Sequence, residues 1–595
     1  MFNKKRFLVR KLSLLLVLSV FIQLFCNSVY AESNVISERL SAAMNLTDDL
    51  LPVRIELEDT LDINQMNNTA RINAKLTNAE MLLIDEFAHN TPLDDNTISY
   101  MSREDFEIAK NLYGKVQNED IINLAYKFDD YCLKRIQIMK KHYASENREL
   151  FNKIDCFDNK AEISDFLPII YKVMLNREQI IQISKLPYIL KMDIAEVKTP
   201  ENMIVNSDRI TRSNSVRAEG YNGSGIRIGV VELGYPITNQ LTNSSRVVQV
   251  DFQNGDPTND HSVSVINTIQ QIAPNATIYI KPQISRFNRS TVRITEDLIA
   301  NQGVHIVNLS IGICTNEGGY QQESRDFDSL VRRTYRTIVT SAGNSSGNIN
   351  DISAAPNVIT VGSVNSSGRT IASTSSYISS GFSSFTEPSA NVNKPDICAP
   401  GENLTINNIG SVSGTSFSSP TVAAIIALML NRNIWMMDKP QIIKAAVMVS
   451  ARYHGSGTYV TNVSDKDGAG VIDALTCYKV AKNGRRNHYD FSSGGATSAY
   501  FDVYADNTTS PFRVAISWQA ETINSNTVIT DYDLYLYKGN TLVASSASSR
   551  NNYEIVEISP SQLSSYGAGY YRAEIRRYGS MKTNSDRVGI AWEQY

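Results

Sequence analysis

A chain of 595 residues is too long for a single hydrophobic core, so several domains are expected. Its 42% hydrophobic and 20% charged content is that of an ordinary soluble globular protein. A formal charge of -4 leaves no basic footprint, which sets nucleic-acid binding aside.

The first element is an N-terminal leader. Lys4, Lys5, Arg6, Arg10 and Lys11 precede an apolar run from Leu12 to Cys26, and small residues follow at Val29 and Ala31 in VYA-ES. This is the layout of a signal peptide over residues 1–31. The run holds about 15 apolar residues, short of the ~20 that a membrane-spanning helix needs. Phe25 is bulky where lipoprotein processing before Cys26 would want a small residue. Secretion, with cell-surface association left open, is the expectation, with no membrane span after the leader is removed.

Residues 32–204 read as a region apart. LLPVRIELED is strand-like, and Leu112, Ile121, Ile122, Leu124, Ala125, Phe128 and Leu133 then recur at helical spacing through a charged stretch. IIYKVMLNREQIIQISKLPYILKMDIAEV returns to short strands around a helix. From 205 to 484 the strand candidates IRIGVV, ATIYI, VHIVNLSIG, TIVTSAGN and VITVGSVN alternate with helical stretches such as SVSVINTIQQIA and RDFDSLVRRTYR. That alternation predicts an α/β, doubly wound and mostly parallel sheet with helices on both faces. From 485 to 595, FRVAISW, YDLYLYKGNTLVASS, GYYRAEIRRY and RVGIAWEQY predict a C-terminal antiparallel β-sandwich.

Six cysteines are present, one of them in the leader. Cys132, Cys156, Cys314, Cys398 and Cys477 are scattered without a CxxC pair, which is neither a disulfide scaffold nor a zinc framework. Most read as buried small hydrophobes, although Cys132 and Cys156 could pair in an oxidising compartment. Asp531 and Asp533 raise the question of calcium, but alternating Asp on a strand face is more often plain solvation, and no metal motif is present.

Four positions carry the chemistry. Glu232 in GVVELGYP ends an apolar strand, where an unpaired carboxylate is costly, so it needs a partner or a solvent-lined crevice. In doubly wound sheets reactive groups gather outside the carboxyl ends of the strands. Ser416 in SVSGTSFSSPTVAAIIALML opens a long apolar helix, where the dipole favours developing negative charge, and Pro420 reads as a first-turn residue. A hydroxyl is a poor nucleophile without a base. His261, opening the helix in NDHSVSVINTIQQIAPNATIYI, is the candidate. Asn344 in TIVTSAGNSSG sits just past a strand on a Gly-rich turn, a place for an oxyanion donor or for a mere turn former.

A strand-end carboxylate, a histidine opening a helix, SAGN and then GTSFSSP, in that order, resemble the subtilisin-like serine peptidases over about residues 205–484. APNATIY, VNLSIG, PNVITVGSV, KPDICAPG and GAGVIDAL fall in the family's order as well. The resemblance implies Ser416 as nucleophile, His261 as general base and acid, and Glu232 as the carboxylate that orients the histidine. It implies Asn344 as side-chain oxyanion donor beside the Ser416 N–H, and Ser310, Ile311 and Gly312 as the strand that pairs with an extended polypeptide substrate. NREQIIQISKLPYILKMDIAEV resembles the family's inhibitory prodomain, so residues 32–204 are expected to be an α+β prodomain with a helical insertion that acts as intramolecular inhibitor. No cofactor is required. Two departures stand out: Glu232-Leu233-Gly234 replaces Asp-Thr-Gly, and His261 is followed by Ser262-Val263-Ser264 rather than Gly-Thr-His. Asp260 is a second carboxylate beside the base. These departures keep open a second reading, a catalytically impaired subtilisin fold with a binding or regulatory role.

Overall fold

The computed structural model describes residues 35–46, 50–89, 118–153, 161–195, 210–287, 289–312, 320–347, 349–365, 368, 370–378, 392–406, 409–452, 459–460, 463–464, 466–523 and 526–594. The leader, Cys156, Cys314 and the expected domain boundary at 204–205 lie outside these residues. The chain forms two compact units. One joins Met1–Leu61 with Lys141–Val197, and the other joins Asp62–Lys140 with Lys198–Tyr595. Residues 62–140, expected in the prodomain, thus group with residues 198–595.

The first unit is α+β. Leu51–Leu57, Glu162–Ile163, Ile169–Leu175 and Ile189–Ile194 form a four-stranded sheet, and the long strand Leu51–Leu57 lies antiparallel between its two neighbours. Val53, Ile55, Ile170, Val173 and Met192 close its core against the helix Arg177–Ile183. That helix starts where NREQ supplies a capping box: Asn176 Oδ1 accepts from the Gln179 N–H at 2.9 Å, and Gln179 Oε1 accepts from the Asn176 N–H at 2.8 Å.

The second unit begins with α1 (Ile63–Asn73), α2 (Asn78–His89) and the part of α3 (Asn118–Lys153) up to Lys140, the rest of that helix belonging to the first unit. The parallel sheet follows, with β1 (Arg227–Val231), β2 (Val247–Gln249), β3 (Thr277–Ile280), β4 (Ile306–Leu309), β5 (Thr337–Ser341), β6 (Ile359–Val364) and β7 (Ile397–Pro400) in the order β7-β6-β5-β4-β1-β3-β2. Every pairing in it is parallel. The chain leaves β1 toward β2 and β3, then returns past β1 to build β4 to β7. The topological switch point therefore lies at β1, where ligands of such sheets bind. Helix α4 (Asp260–Ile272) and helix α5 (Thr415–Arg432) pack against each other beside it. Every residue of α5 from Thr415 to Leu430 is buried, which is why that segment is apolar all round rather than amphipathic.

The C-terminal strands form two four-stranded antiparallel sheets, one of them Arg486–Ser492, Ser585–Gln594, Phe512–Ser517 and Tyr553–Ile558. This sheet packs on helix α6 (Pro440–Val449), and a Cβ at Gly589 would come within 2.9 Å of the Ile442 backbone nitrogen. Asn357 donates to the Ala520 carbonyl at 2.9 Å and accepts the Ala520 N–H at 2.7 Å. Buried Lys444 reaches Asp396 at 2.8 Å and the Pro356 carbonyl at 2.8 Å, and Asn552 donates to the same carbonyl. The sandwich is therefore part of the same packed unit as the peptidase sheet.

At the amino-terminal end of β1, Arg227 holds Asp129 of α3 through one guanidinium nitrogen, 2.9 Å from each carboxylate oxygen. His305, at the entry to β4, accepts the Arg227 N–H on Nδ1 at 3.2 Å, so its proton sits on Nε2, 3.3 Å from Asp129. Burial pushes His305 from an ordinary 6.5 down to about 4, against the pull of Asp129 and with help from the Arg227 and Arg336 charges. Asp129 is held below the usual carboxylate range: burial opposes this, but His305 and Arg227 outweigh it. Because the folded His305 stays neutral where the unfolded one takes a proton, stability is full above about pH 6.5 and falls as pH drops toward 4. The loss amounts to at most about 3 kcal/mol. Urea midpoints at pH 7 and pH 4.5 read it, and His305→Gln should flatten the difference.

Candidate active site

The register of the sheet brings the site together. Val231 of β1 pairs with Leu309 of β4, and Leu309 pairs with Thr340 of β5. The next residues along each strand, Glu232, Ser310 and the Ala342-Gly343-Asn344 turn, therefore emerge side by side at the carboxyl end. Glu232 is fully buried and its Oε2 lies 2.8 Å from His261 Nδ1. Its other oxygen, Oε1, is buried and has no hydrogen-bond partner. Asp260 is exposed in the first turn of α4, and the helix is capped instead by Asn259, whose side chain accepts the His261 N–H at 2.9 Å. Ser262 adds a tie back to the carboxylate's loop, donating from Oγ to the Gly234 carbonyl at 2.6 Å.

The second ring nitrogen, His261 Nε2, is buried and makes no hydrogen bond. The imidazole meets the ring of Phe417, the residue that follows Ser416 in the chain, edge-on at 4.9 Å between centroids. Ser416 is the second residue of α5, where backbone N–H groups lack intrahelical acceptors. Pro420 is not a first-turn residue; it is the sixth in the helix. Its missing N–H is the one that would have bonded the Ser416 carbonyl, so the nucleophile candidate sits in a locally loosened turn.

Asn344 is fixed at one end only. Its Oδ1 accepts from the Thr415 N–H at 2.9 Å and from Thr415 Oγ1 at 3.0 Å, which caps α5 from another element. With Oδ1 so occupied, the amide Nδ2 is the donor left for a ligand. Thr415 Oγ1 in turn accepts the Gly343 N–H at 3.1 Å. Thr415→Val is expected to lower kcat roughly tenfold, by letting the Asn344 amide swing, with little change in KM. Thr415→Ser should restore it in steady-state assays on a peptide substrate.

Ser310 and Ile311 are buried, and Gly312 continues the extended chain beyond β4. A Cβ at Gly312 would lie 1.7 Å from Asn350 Nδ2, so only glycine fits there without moving that side chain. Sequence reasoning gave no role to Asn308, although a polar residue inside so apolar a strand must be paired. It accepts from Ser419 Oγ of α5 at 2.6 Å and donates to Ser310 Oγ at 2.8 Å. One buried side chain thus couples the helix of Ser416 to the strand expected to pair with substrate. Gly401 serves the same assembly: a Cβ there would stand 2.2 Å from Ser418 Oγ, and its carbonyl accepts the Gly414 N–H at 2.6 Å.

Cys132, Cys398 and Cys477 are buried free thiols, and burial pushes Cys132 up to about 12; Cys156, the partner weighed for Cys132, lies outside the described residues. Asp531, raised to about 6 by burial and by Asp533, stands beside a carboxylate that already accepts from Tyr535. Among the described residues no group of three His, Cys, Asp or Glu is placed to hold a metal. Nor is any described helix long and apolar enough to cross a membrane.

Comparison with known proteins gives the following. Residues 253–494 match the Subtilase family, a stretch that contains His261, Asn344 and Ser416 and begins after Glu232. Alkaline elastase YaB of Bacillus sp. (strain YaB) is 26% identical over 291 residues, 45% of this chain and 71% of that protein. M-protease of Shouchella clausii (strain KSM-K16) is 25% identical over 262 residues, 40% of this chain and 63% of that protein. Among solved structures, patellamide maturation protease PatA is 21% identical with a TM-score of 0.33, over 44% of this chain and 98% of that one.

Proposed function

We propose, for a chain that carries a subtilisin-like serine peptidase domain, that the protein is a secreted endopeptidase made as a pre-proenzyme with Glu232 in place of the usual triad aspartate. The observation that carries this reading is the 2.8 Å contact between Glu232 and His261 Nδ1, with Nε2 buried and free of hydrogen bonds and the ring packed on Phe417, the residue that follows Ser416.

Each group then has one task. Ser416 Oγ attacks the carbonyl carbon of an extended peptide lying along Ser310–Gly312, and its proton passes to His261 Nε2. The carbonyl oxygen becomes an oxyanion, met by Asn344 Nδ2 and the Ser416 N–H. Its collapse breaks the C–N bond, and the proton on Nε2 goes to the leaving amine. Water then gives a proton to His261 and attacks the acyl-enzyme, and Ser416 recovers its proton as the acid product leaves. Glu232 keeps its place beside the ring throughout. It holds the proton on Nδ1 and offsets the charge of the imidazolium.

The α+β unit fits the role of intramolecular inhibitor, and the N-terminal leader fits secretion. The competing reading, an impaired fold that binds without cutting, draws support from one feature: Glu232 makes a single hydrogen bond and leaves Oε1 buried without a partner. Incubation of the processed protein with casein and a peptide library separates the two. Cleavage lost in Ser416→Ala supports the enzyme, and intact substrates in both samples would reject it.

A further inference from the structure

The helices α1, α2 and the first part of α3 lie in a stretch that the proenzyme reading assigns to a removable prodomain, yet they are built into the peptidase. Ala70, Leu76, Leu83, Ile84, Leu124 and Phe128 belong to one continuous apolar core with β1, β3, α4 and α5. Phe128 packs against Trp435 at 5.5 Å between ring centroids. Arg135 lies 4.3 Å over the ring of Tyr335 and 3.8 Å from Asp438.

The polar part of the contact is equally specific. Asp129 answers two groups at once, the half-buried Arg227 and the buried His305, while Arg227 Nε donates to the Gly303 carbonyl at 2.8 Å. Gly303 has φ +59°, and a Cβ there would stand 2.7 Å from Leu133 of α3, so the helix and the turn are fitted to each other. Lys140 closes the row on Asn301 at 2.9 Å. Taking the helices away would uncover a large apolar surface and leave Arg227 and His305 without the Asp129 carboxylate.

Position matters as much as strength. Arg227 and His305 stand at the amino-terminal ends of β1 and β4, whereas Glu232 and Ser310 leave the carboxyl ends of the same strands. The helices therefore dock at the far end of the sheet from the reacting groups and do not cover them.

We propose that the helices of residues 62–89 and 118–140 are a permanent part of the peptidase, a floor under its sheet, and stay bound in the mature enzyme after the inhibitor is cut away. The chain passes from the α+β unit into this segment at Leu61–Asp62 and returns to that unit at Lys140–Lys141. A single cut near residue 205 would therefore leave the inhibitor tethered, and its departure requires cuts on both flanks of the docked helices. The mature enzyme is then a noncovalent assembly of at least two chains.

This inference rests on the proenzyme reading, and two samples keep the two apart. Wild-type protein, self-processed and labelled with a fluorophosphonate probe, is passed through a native sizing column, and the labelled peak is digested for mass spectrometry. Peptides from 63–89 and 118–140 are expected there in about equal amount to peptides from the peptidase region. A labelled peak without them would overturn the inference. Full-length Ser416→Ala, which cannot process itself, is nicked with trypsin and run on the same column. Co-elution of the helical peptides with the peptidase supports the docking even if the wild type proves inert, and their separation in native buffer overturns it.

Discussion

Glu232→Gln is expected to lower kcat by about 10⁴ while leaving KM nearly unchanged. The amide keeps the size of the side chain but no longer forces the proton onto His261 Nδ1, so Nε2 is no longer reliably free to accept from Ser416. It also removes the charge that offsets the imidazolium in a buried pocket. The magnitude comes from triad carboxylates in related serine peptidases rather than from this chain. Glu232→Asp poses the opposite test. The 2.8 Å contact shows that the longer arm reaches the ring, so in this backbone aspartate falls short by about one C–C bond, ~1.5 Å. A misplacement of about 1 Å costs on the order of 10²-fold. Restoring the family's usual residue should therefore weaken this enzyme. Asp260→Asn, at an exposed position, is expected to stay within about twofold of wild type. Steady-state kinetics on one peptide substrate read all three, and a Glu232→Asp variant faster than wild type would show that the strand is not adapted to glutamate.

Arg513→Ala is expected to destabilise the second unit by about 3–5 kcal/mol. Arg513 is fully buried in the sandwich, yet two of its hydrogen bonds go to the peptidase side, to the Ala451 carbonyl at 2.7 Å and the Ala469 carbonyl at 3.0 Å. Its Nε holds Glu557 at 2.6 Å. Alanine leaves two buried carbonyls and a carboxylate without their donor and opens a cavity. Because the sandwich and the peptidase sheet form one unit, urea unfolding followed by tryptophan fluorescence and by loss of activity should shift together. If fluorescence moves while activity holds its midpoint, the sandwich unfolds independently of the peptidase.

The alternation of strands and helices was legible because a parallel sheet buries both faces, which makes IRIGVV and VITVGSVN nearly continuous apolar runs. Ser416, His261, Glu232 and Asn344 were legible as motifs, since each stands at a strand end or helix start that the apolar pattern marks. Asn308 was hidden in plain view: its partners Ser419 and Ser310 are 111 and 2 residues away, and only the fold joins them. Pro420 was misplaced by one turn, because the helix starts at Thr415 rather than nearer the proline. The docked helices show where local patterns end. Leu124 and Phe128 announce an apolar face, but nothing near Asp129 tells that its partners are Arg227 and His305, 98 and 176 residues on. Its sequence context is that of an ordinary solvated acid. The same holds for Asn357, which pairs with a backbone group 163 residues away.

The most direct test of the central claim is to map the fluorophosphonate adduct on the processed protein by tandem mass spectrometry. The account predicts one modified residue, Ser416, with labelling abolished in Ser416→Ala and strongly slowed in Glu232→Gln. An unlabelled protein, an adduct at another serine, or a Glu232→Gln variant that labels as fast as wild type would contradict it.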